Sequence, residues 1–406
     1  MKHIYIFNSV SWASEYGIGT YIQELVGYLL NKPDIRLHIV RLFDGIKEVE
    51  IRQSEGYTTY CIPNLESRLL ENIYYRNAWY ILCKYISVNS GDSLIFHLNY
   101  HKEYILVPYM KERFPNCMTI LTIHYMTWCL KLKGNMIQFQ KILAKKDTSV
   151  SAEVEILDNF NMERQAYFAV DKVICLSHYT EKVLRQIYQL PLIKINVVYN
   201  GLKNESVLLN QYEKTNQKNE LFIPENDKII LFVGRLDEIK GLDLLINAFK
   251  MVLSQMPNVR LVVIGDGDFA CYLNLSRKYW GKVIFTGKLR KSDLYKFYSI
   301  ADIGIMPSFH EQCSYVAIEM QMFGIPLITS DSTGLKEMNP CYPDMIIHTV
   351  ENEDGVQISI DTLSEKIIDA LSCKSVDKMN KIYYDHFLEK YNRPVFENAM
   401  NKIYEI

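Results

Sequence analysis

The 406-residue sequence has almost no net charge. Its 45 Lys and Arg face 47 Asp and Glu, leaving −2. A nucleic-acid binder usually shows a strong basic excess, so that class is set aside. Long apolar runs are missing too: nothing approaches the ~20 apolar residues that span a bilayer. The start, Met1-Lys2-His3-Ile4-Tyr5-Ile6-Phe7-Asn8, is a short apolar run ending in polar residues. It reads as a first strand and not as a signal peptide. The nine cysteines lie scattered at 61, 83, 117, 129, 175, 271, 313, 341 and 373, with no Cys-x-x-Cys pair. Neither a zinc site nor a disulfide framework is suggested, and buried thiols in a reducing cytosol account for them. No Ser/His/Asp triad is legible. Cys313 sits beside Glu311 at a helix start, where a thiol pKa can fall, but packing in a tight loop is the simpler role.

What is present points to an α/β protein. Apolar content of 49% and charged content of 23% are those of a soluble globular chain. The length implies two domains of roughly 200 residues. Short apolar runs alternate with helical patterns, the mark of parallel α/β folding. In the first half, strands are expected at 4–7, 37–42, 58–62, 93–97, 118–124, 172–176 and 195–199, with helices such as 20–30, 69–85 and 152–169. Residues 203–227 are polar with no clear period and read as a linker. A second strand series follows at 229–233, 260–264, 283–286, 303–306, 327–329 and 345–348, with helices at 242–255, 294–298 and 315–323 among them. The expected organisation is an N-terminal domain 1–203, a linker 204–227, a C-terminal domain 228–375, and helices over 376–406 that cross back to the first domain.

Ligands of open parallel sheets bind beyond the carboxyl ends of the strands. The residues there are Glu15-Tyr16-Gly17-Ile18-Gly19, His97, His124, Gly234-Arg235 with Lys240-Gly241, Gly265-Asp266-Gly267-Asp268, Gly287-Lys288-Leu289, the Glu311 loop and Gly334-Leu335-Lys336-Glu337. All are expected to face one cleft. The most informative segment is Ser308-Phe309-His310-Glu311-Gln312-Cys313-Ser314-Tyr315-Val316-Ala317-Ile318-Glu319. Glu311 falls on a loop tip, and Glu319 about two turns into the following helix, so the two carboxylates can grip parts of one ligand ~10 Å apart. Carboxylates accept hydrogen bonds from hydroxyls, and the N–H groups at a helix start suit a phosphate. A sugar nucleotide offers both. The plainer alternative is ordinary helix capping by acidic residues. Arg235 and Lys240 at a strand-to-helix turn can hold a diphosphate, or be solvated surface cations. Gly17 and Gly19 allow close backbone approach, or simply make a turn. His124 is a site group or a core histidine. Asp266-Gly267-Asp268 reads as turn and capping chemistry in preference to a metal site.

These elements, in this order and spacing, resemble the family 4 retaining glycosyltransferases, among the glycosyl transferases of group 1. The matching elements are Gly17 and Gly19, Asn200-Gly201, Gly234-Arg235-Leu236 with Lys240-Gly241, Gly265-Asp266-Gly267, Ala301-Asp302 before Pro307-Ser308, the paired glutamates, and Gly324-Ile325-Pro326. The resemblance implies the GT-B fold, two Rossmann-like doubly wound domains facing a central cleft. It implies that Arg235 and Lys240 bind the donor diphosphate, and that Glu311 binds donor-sugar hydroxyls with the backbone N–H groups from Gln312, Cys313, Ser314 and Tyr315. It further implies that Glu319 holds the ribose, His124 contacts the transferred sugar, and Gly17, Gly19, Gly234 and Leu289 line the donor. No metal or other cofactor is required on this reading, since the cations and helix terminus carry the charge; the nucleotide sugar, a UDP-sugar before a GDP-sugar, is a co-substrate. Departures are also present. Cys313-Ser314-Tyr315 stands where Phe-Gly is common, Tyr125 follows His124 where Asp is frequent, and the glycine loop lacks a Gly-Gly pair.

The expected acceptor is a glycan, a glycolipid or a peptide. Lys131, Lys133, Lys141, Lys145 and Lys146 interleave with Met136, Ile137, Phe139, Ile142 and Leu143 and no acid. Such a basic amphipathic segment suits an acidic acceptor or an anionic membrane surface; the alternative is a solvated helix. The protein is expected in the cytoplasm, with peripheral contact at the inner face of the membrane. Two other readings stay open: a GT-B epimerase or phosphorylase, and a non-catalytic sugar-nucleotide-binding subunit.

Overall fold

A computed structural model describes residues 1–10, 16–30, 32–64, 71–145, 148–339, 343–373 and 375–406. Glu15, Lys146, Cys341 and the expected helix start at Leu69 lie outside them. The chain divides into two units. The first holds 1–127, 147–201 and 396–406, and the second holds 128–146 and 202–395.

The first unit is built on an eight-stranded sheet of β1 (Lys2–Ser9), β2 (Ile35–Asp44), β3 (Glu50–Ser54), β4 (Tyr57–Pro63), β5 (Ser93–Leu98), β6 (Met118–Ile123), β7 (Lys172–Cys175) and β8 (Ile195–Val197). The spatial order is β3-β4-β2-β1-β5-β6-β7-β8. Every neighbouring pair is parallel except β3 with β4. Runs such as Ile4-Tyr5-Ile6-Phe7 are buried along their whole length, as expected of a strand covered on both faces. β1 is followed in sequence by strands on one side of it and flanked by β5 on the other, so the winding reverses between β1 and β5.

The second unit repeats the plan with β9 (Lys228–Val233), β10 (Val259–Ile264), β11 (Val283–Gly287), β12 (Ile303–Met306), β13 (Leu327–Ser330) and β14 (Ile346–Ile347), in the order β11-β10-β9-β12-β13-β14 and all parallel. Here the reversal falls between β9 and β12. A hairpin, β15 (Thr349–Asn352) with β16 (Gly355–Ile358), is appended. The core joins Ile230, Phe232, Leu261 and Val263 to Leu245, Phe249 and Val252 of helix Leu242–Gln255, and to Leu363 and Ile367 of helix Ile360–Ser372.

Several expectations are corrected. Residues 128–146 belong to the second unit and not the first. Asn135 Nδ2 donates to Asn352 O at 2.7 Å, Met136 N to Glu351 at 2.9 Å, and Lys133 pairs with Glu238 at 3.1 Å. Trp128 and Phe139 stack with centroids 4.2 Å apart, a pair contributing ~0.5–1.5 kcal/mol beyond burial. Phe139 and Ile142 are buried, and Lys141 pairs with Glu353 at 2.5 Å, so much of the expected amphipathic face is consumed within the unit. The expected linker contains helix Gln211–Glu220, started by a capping box of Asn210 and Glu213 that periodicity cannot reveal because no residue of it is buried. His97 is not a strand-end group. It lies within β5, fully buried, bonded to Thr122 Oγ1 at 2.7 Å and Tyr404 Oη at 2.5 Å. Helix Val376–Lys390 lies in the second unit, and residues 396–406 in the first, where Tyr28 donates to Asn401 at 2.5 Å. Among the described residues no helix is long and apolar enough to cross a membrane.

The parallel junction of β9 with β10 leaves no room at Gly265. Its φ is 151°, and a Cβ there would stand 1.7 Å from Gly234 O. Gly265→Ala is expected to lower stability by about 2 kcal/mol or more. The check is a denaturant melt of the variant, and an unchanged midpoint contradicts this account.

Candidate functional site

The loops that leave β9 and β12 meet at the winding reversal of the second unit. After β9 the chain turns at Gly234, and Leu236 N donates to Asp266 O at 2.8 Å. A single turn, Glu238–Lys240, delivers the chain to Gly241, which is left-handed at φ 66° and precedes helix Leu242–Gln255. A Cβ at Gly241 would stand 2.4 Å from Pro307 O. Phe309 N donates to Ile239 O at 2.8 Å, so the two loops are joined backbone to backbone. Asp266 and Asp268 play local parts: Asp266 Oδ1 accepts from Gly267 N, and Asp268 Oδ1 caps helix Phe269–Ser276 from Ala270 N at 3.0 Å.

The Glu311 loop is braced from below by the segment after β13. The hydroxyls of Ser330 and Ser332 both donate to Ser308 O. Thr333 Oγ1 accepts from Glu311 N at 3.0 Å and donates to Glu311 O at 2.6 Å. Gly334 N also donates to Glu311 O at 2.9 Å. Gln312, Cys313 and Ser314 are buried, and Ser314 caps helix Tyr315–Met322 by accepting from Ala317 N. Ser314 N is directed at Met338 Sδ at 3.2 Å, so this N–H is engaged by the protein itself.

The charged groups are self-paired. Lys240 and Glu311 form an ion pair whose side chains are only 17% and 13% exposed. Arg235 pairs with Asp237 at 2.9 Å. The fold thus brings Arg235, Lys240 and Glu311 to one pair of loops, with Gly234 at its root. Glu319 stands apart, two turns along the helix. It accepts from Tyr298 Oη at 2.8 Å, and burial pushes its pKa up to about 7. The ammonium of Lys291, itself paired with Glu205, lowers that value, and Glu205 raises it. His310, buried beside Lys240, is held neutral, its pKa pulled down to about 3 first by burial and then by the cation. Leu289 is half-buried in the turn between β11 and helix Lys291–Ile300, two strands from the reversal.

The other candidate residues lie in the first unit. Gly17 and Gly19 form the first turn of helix Gly17–Leu29. Tyr21 of that helix sets its ring edge-on to His124, with centroids 4.8 Å apart. His124 follows β6, half-buried, with Nε2 3.0 Å from Asn99 Oδ1. Burial pulls its pKa down to about 3, so the imidazole is neutral at physiological pH. Sequence reasoning missed Asn99, Asp237, Tyr298 and Thr333. Asn99 had a usable signal, since it follows β5 directly at the winding reversal. Tyr298 had none, because its meeting with Glu319 is tertiary.

With two doubly wound parallel sheets, each wound in reverse about a central strand, the protein has the GT-B fold. The structure is similar to sucrose-phosphate synthase from Thermosynechococcus elongatus, with a TM-score of 0.75 and 18% identity, covering 100% of this chain and 98% of that one. It is similar also to Anabaena HepE solved in complex with UDP, with a TM-score of 0.68 and 14% identity over 100% of both chains. Residues 213–385 match the family described as glycosyl transferases group 1. A glycosyltransferase of Methanocaldococcus jannaschii, itself uncharacterized, is 31% identical over 205 residues, 49% of this chain and 52% of that one. The lipopolysaccharide 1,2-N-acetylglucosaminetransferase of Salmonella typhimurium is 31% identical over 160 residues, 37% and 42% of the two chains. The O-antigen biosynthesis glycosyltransferase WclY of Escherichia coli is 27% identical over 237 residues, 58% and 62% of the two. The chain thus spans about half the length of the curated relatives it matches.

The raised pKa of Glu319 has a consequence for stability. Between the ordinary carboxylate value and about 7, the folded state holds a proton that the unfolded state has lost. That stabilisation is present at low pH and is lost as pH rises through about 7. Glu319→Gln cannot titrate, so its melting temperature is expected to gain on the parent's as pH is raised from 5 to 8. Melts across that range check it, and parallel curves contradict it.

Proposed function

We propose that the protein transfers a sugar from a nucleotide-sugar donor, a UDP-sugar before a GDP-sugar, to a carbohydrate, lipid-linked or peptide acceptor. The observation that carries this reading is the meeting of Arg235, Lys240 and Glu311 on two backbone-linked loops at the winding reversal, beside the start of helix Tyr315–Met322. Arg235 and Lys240 hold the diphosphate and take up the negative charge that grows on it as the sugar departs. Each charge-assisted bond contributes roughly 1.5–3 kcal/mol. The helix start adds its positive dipole end, so that no metal or other cofactor is required. Lys240, drawn to the phosphates, releases Glu311 to accept hydrogen bonds from donor-sugar hydroxyls, while backbone N–H groups between Gln312 and Tyr315 donate to the sugar oxygens, that of Ser314 only on leaving Met338 Sδ. Glu319 accepts from the ribose hydroxyls. His124 is a neutral hydrogen-bonding contact for the transferred sugar, and Gly17, Gly19, Gly234 and Leu289 line the donor. The sugar keeps its anomeric configuration by attack on the face the diphosphate leaves, with the leaving phosphate as base. The enzyme works in the cytoplasm, and the basic segment 131–145 borders an acidic acceptor or the inner face of the membrane.

The test is a thermal-shift screen with UDP, GDP, ADP and their sugar conjugates, followed by an assay of nucleotide release on transfer. A ligand at 100 times its Kd stabilises by about 2.7 kcal/mol. One nucleotide family is expected to shift the melt, and Arg235→Ala or Glu319→Ala to abolish the shift. Lys240→Ala is expected to lower kcat/KM roughly 100-fold. Binding of a donor with neither transfer nor hydrolysis would remove the transferase reading.

Donor affinity is further expected to depend on pH through Glu319. Only the carboxylate offers both oxygens as acceptors to the ribose, so the Kd should rise as pH falls below about 7. Titration calorimetry between pH 5.5 and 8.5 measures this. Glu319→Gln should flatten the profile, and an unchanged slope would assign the dependence elsewhere.

A further inference from the structure

A hydrogen-bonded chain in the first unit settles which nitrogen of His124 carries the proton. Asn99 follows β5 and is 2% exposed. Its Nδ2 lies 2.9 Å from the carbonyl oxygen of Phe7, which only accepts, so the amide nitrogen must point there. Oδ1 therefore faces His124 Nε2 at 3.0 Å. An amide oxygen cannot donate, so Nε2 holds the hydrogen and Nδ1 is left as the lone-pair nitrogen of the neutral ring. Asn99 is itself pinned by Glu103, which is fully buried. One oxygen of that carboxylate accepts from Asn99 N at 2.9 Å and Tyr100 N at 3.1 Å. The other accepts from Ser9 N at 3.1 Å and Ser9 Oγ at 2.8 Å. Ser9 ends β1, so one side chain ties together the ends of β1 and β5 where the winding reverses. The four named hydrogen bonds to Glu103 all come from donors, a need that a carboxylate meets and an amide cannot, and they work against the burial that pushes its pKa up to about 7. The Tyr21 ring against His124 restrains rotation of the imidazole, and Tyr21 Oη is in turn tied to Thr122 Oγ1 at 3.1 Å.

We infer that Asn99 and Glu103 are positioning residues that hold His124 as the Nε2–H tautomer, presenting Nδ1 as a hydrogen-bond acceptor for a hydroxyl of the transferred sugar. The role in transfer rests on the proposed function; the tautomer does not. Glu103 orients the Asn99 backbone, Asn99 orients and polarises the imidazole, and a wrong tautomer would turn a donor toward the group meant to donate.

The experiment uses the full chain, with imidazole nitrogen NMR of His124 and steady-state transfer kinetics on the parent, Asn99→Ala and Glu103→Gln. The parent is expected to show protonated Nε2. Asn99→Ala is expected to populate the Nδ1–H form and to lower kcat about tenfold, the scale of one positioned hydrogen bond, with donor KM moving much less. Glu103→Gln is expected to act in the same direction; should it fail to fold, Asn99→Ala carries the test. A His124 tautomer unchanged in Asn99→Ala overturns the inference, whatever the rate. A changed tautomer with an unchanged kcat overturns the positioning role. If the parent transfers no sugar, the proposed function fails on that result, and the spectra still decide what Asn99 does to His124.

Discussion

The close approach of two loops leaving adjacent parallel strands governs the candidate site. β9 and β12 are neighbours, but the chain leaves β9 for β10 on one side and β12 for β13 on the other. The gap between diverging connections is where open α/β sheets receive ligands. Here it is narrowed until backbone meets backbone. Gly241 sits under Pro307, Phe309 N donates to Ile239 O, and the segment 330–334 supports the Glu311 loop from beneath. The absence of a side chain at Gly241 and Gly334 makes this packing sterically allowed, since a Cβ would meet a carbonyl oxygen at 2.4 Å and 1.9 Å respectively. The functional side chains are thus mounted on a frame of two loops joined and braced by backbone and hydroxyl hydrogen bonds.

On that frame the charges are balanced against each other. Lys240 faces Glu311 and Arg235 faces Asp237, which offsets part of the cost of holding partly buried ions without a ligand. On the proposed function, a diphosphate would compete for the cations, and the sugar hydroxyls for the released carboxylate. Glu319 and His124 follow a different rule: burial favours the neutral form of each, a protonated acid in the one and an unprotonated base in the other.

Much of the fold was legible because its strands are short apolar runs, in the second unit closed by glycine after β9 and β10, and the burial of both sheet faces makes such runs continuous. The helices expected over 242–255 and 315–323 were equally readable, and are found at Leu242–Gln255 and Tyr315–Met322. Helix Gln211–Glu220 escaped because it buries nothing, leaving no hydrophobic period to detect. Residues 128–146 were assigned to the wrong unit because their amphipathic pattern announces a buried face without naming the surface that covers it. Of the candidate residues, Arg235, Lys240 and Glu311 could be anticipated as a group, since each follows a strand end. The support from Thr333, the Tyr298 contact and the Asn99–Glu103 chain could not.

Local order along the chain settled what is local: two α/β units, the glycines at their turns, and a loop carrying Glu311 before a helix carrying Glu319. These follow from strand length, turn chemistry and helical rise, which act over a few residues. Only the tertiary structure decided that Lys240 meets Glu311, that His97 is sealed in the core while His124 stays half-open, and that Asn99 dictates the tautomer of His124. Those outcomes depend on which strand lies beside which, a relation between segments tens of residues apart that no local pattern encodes.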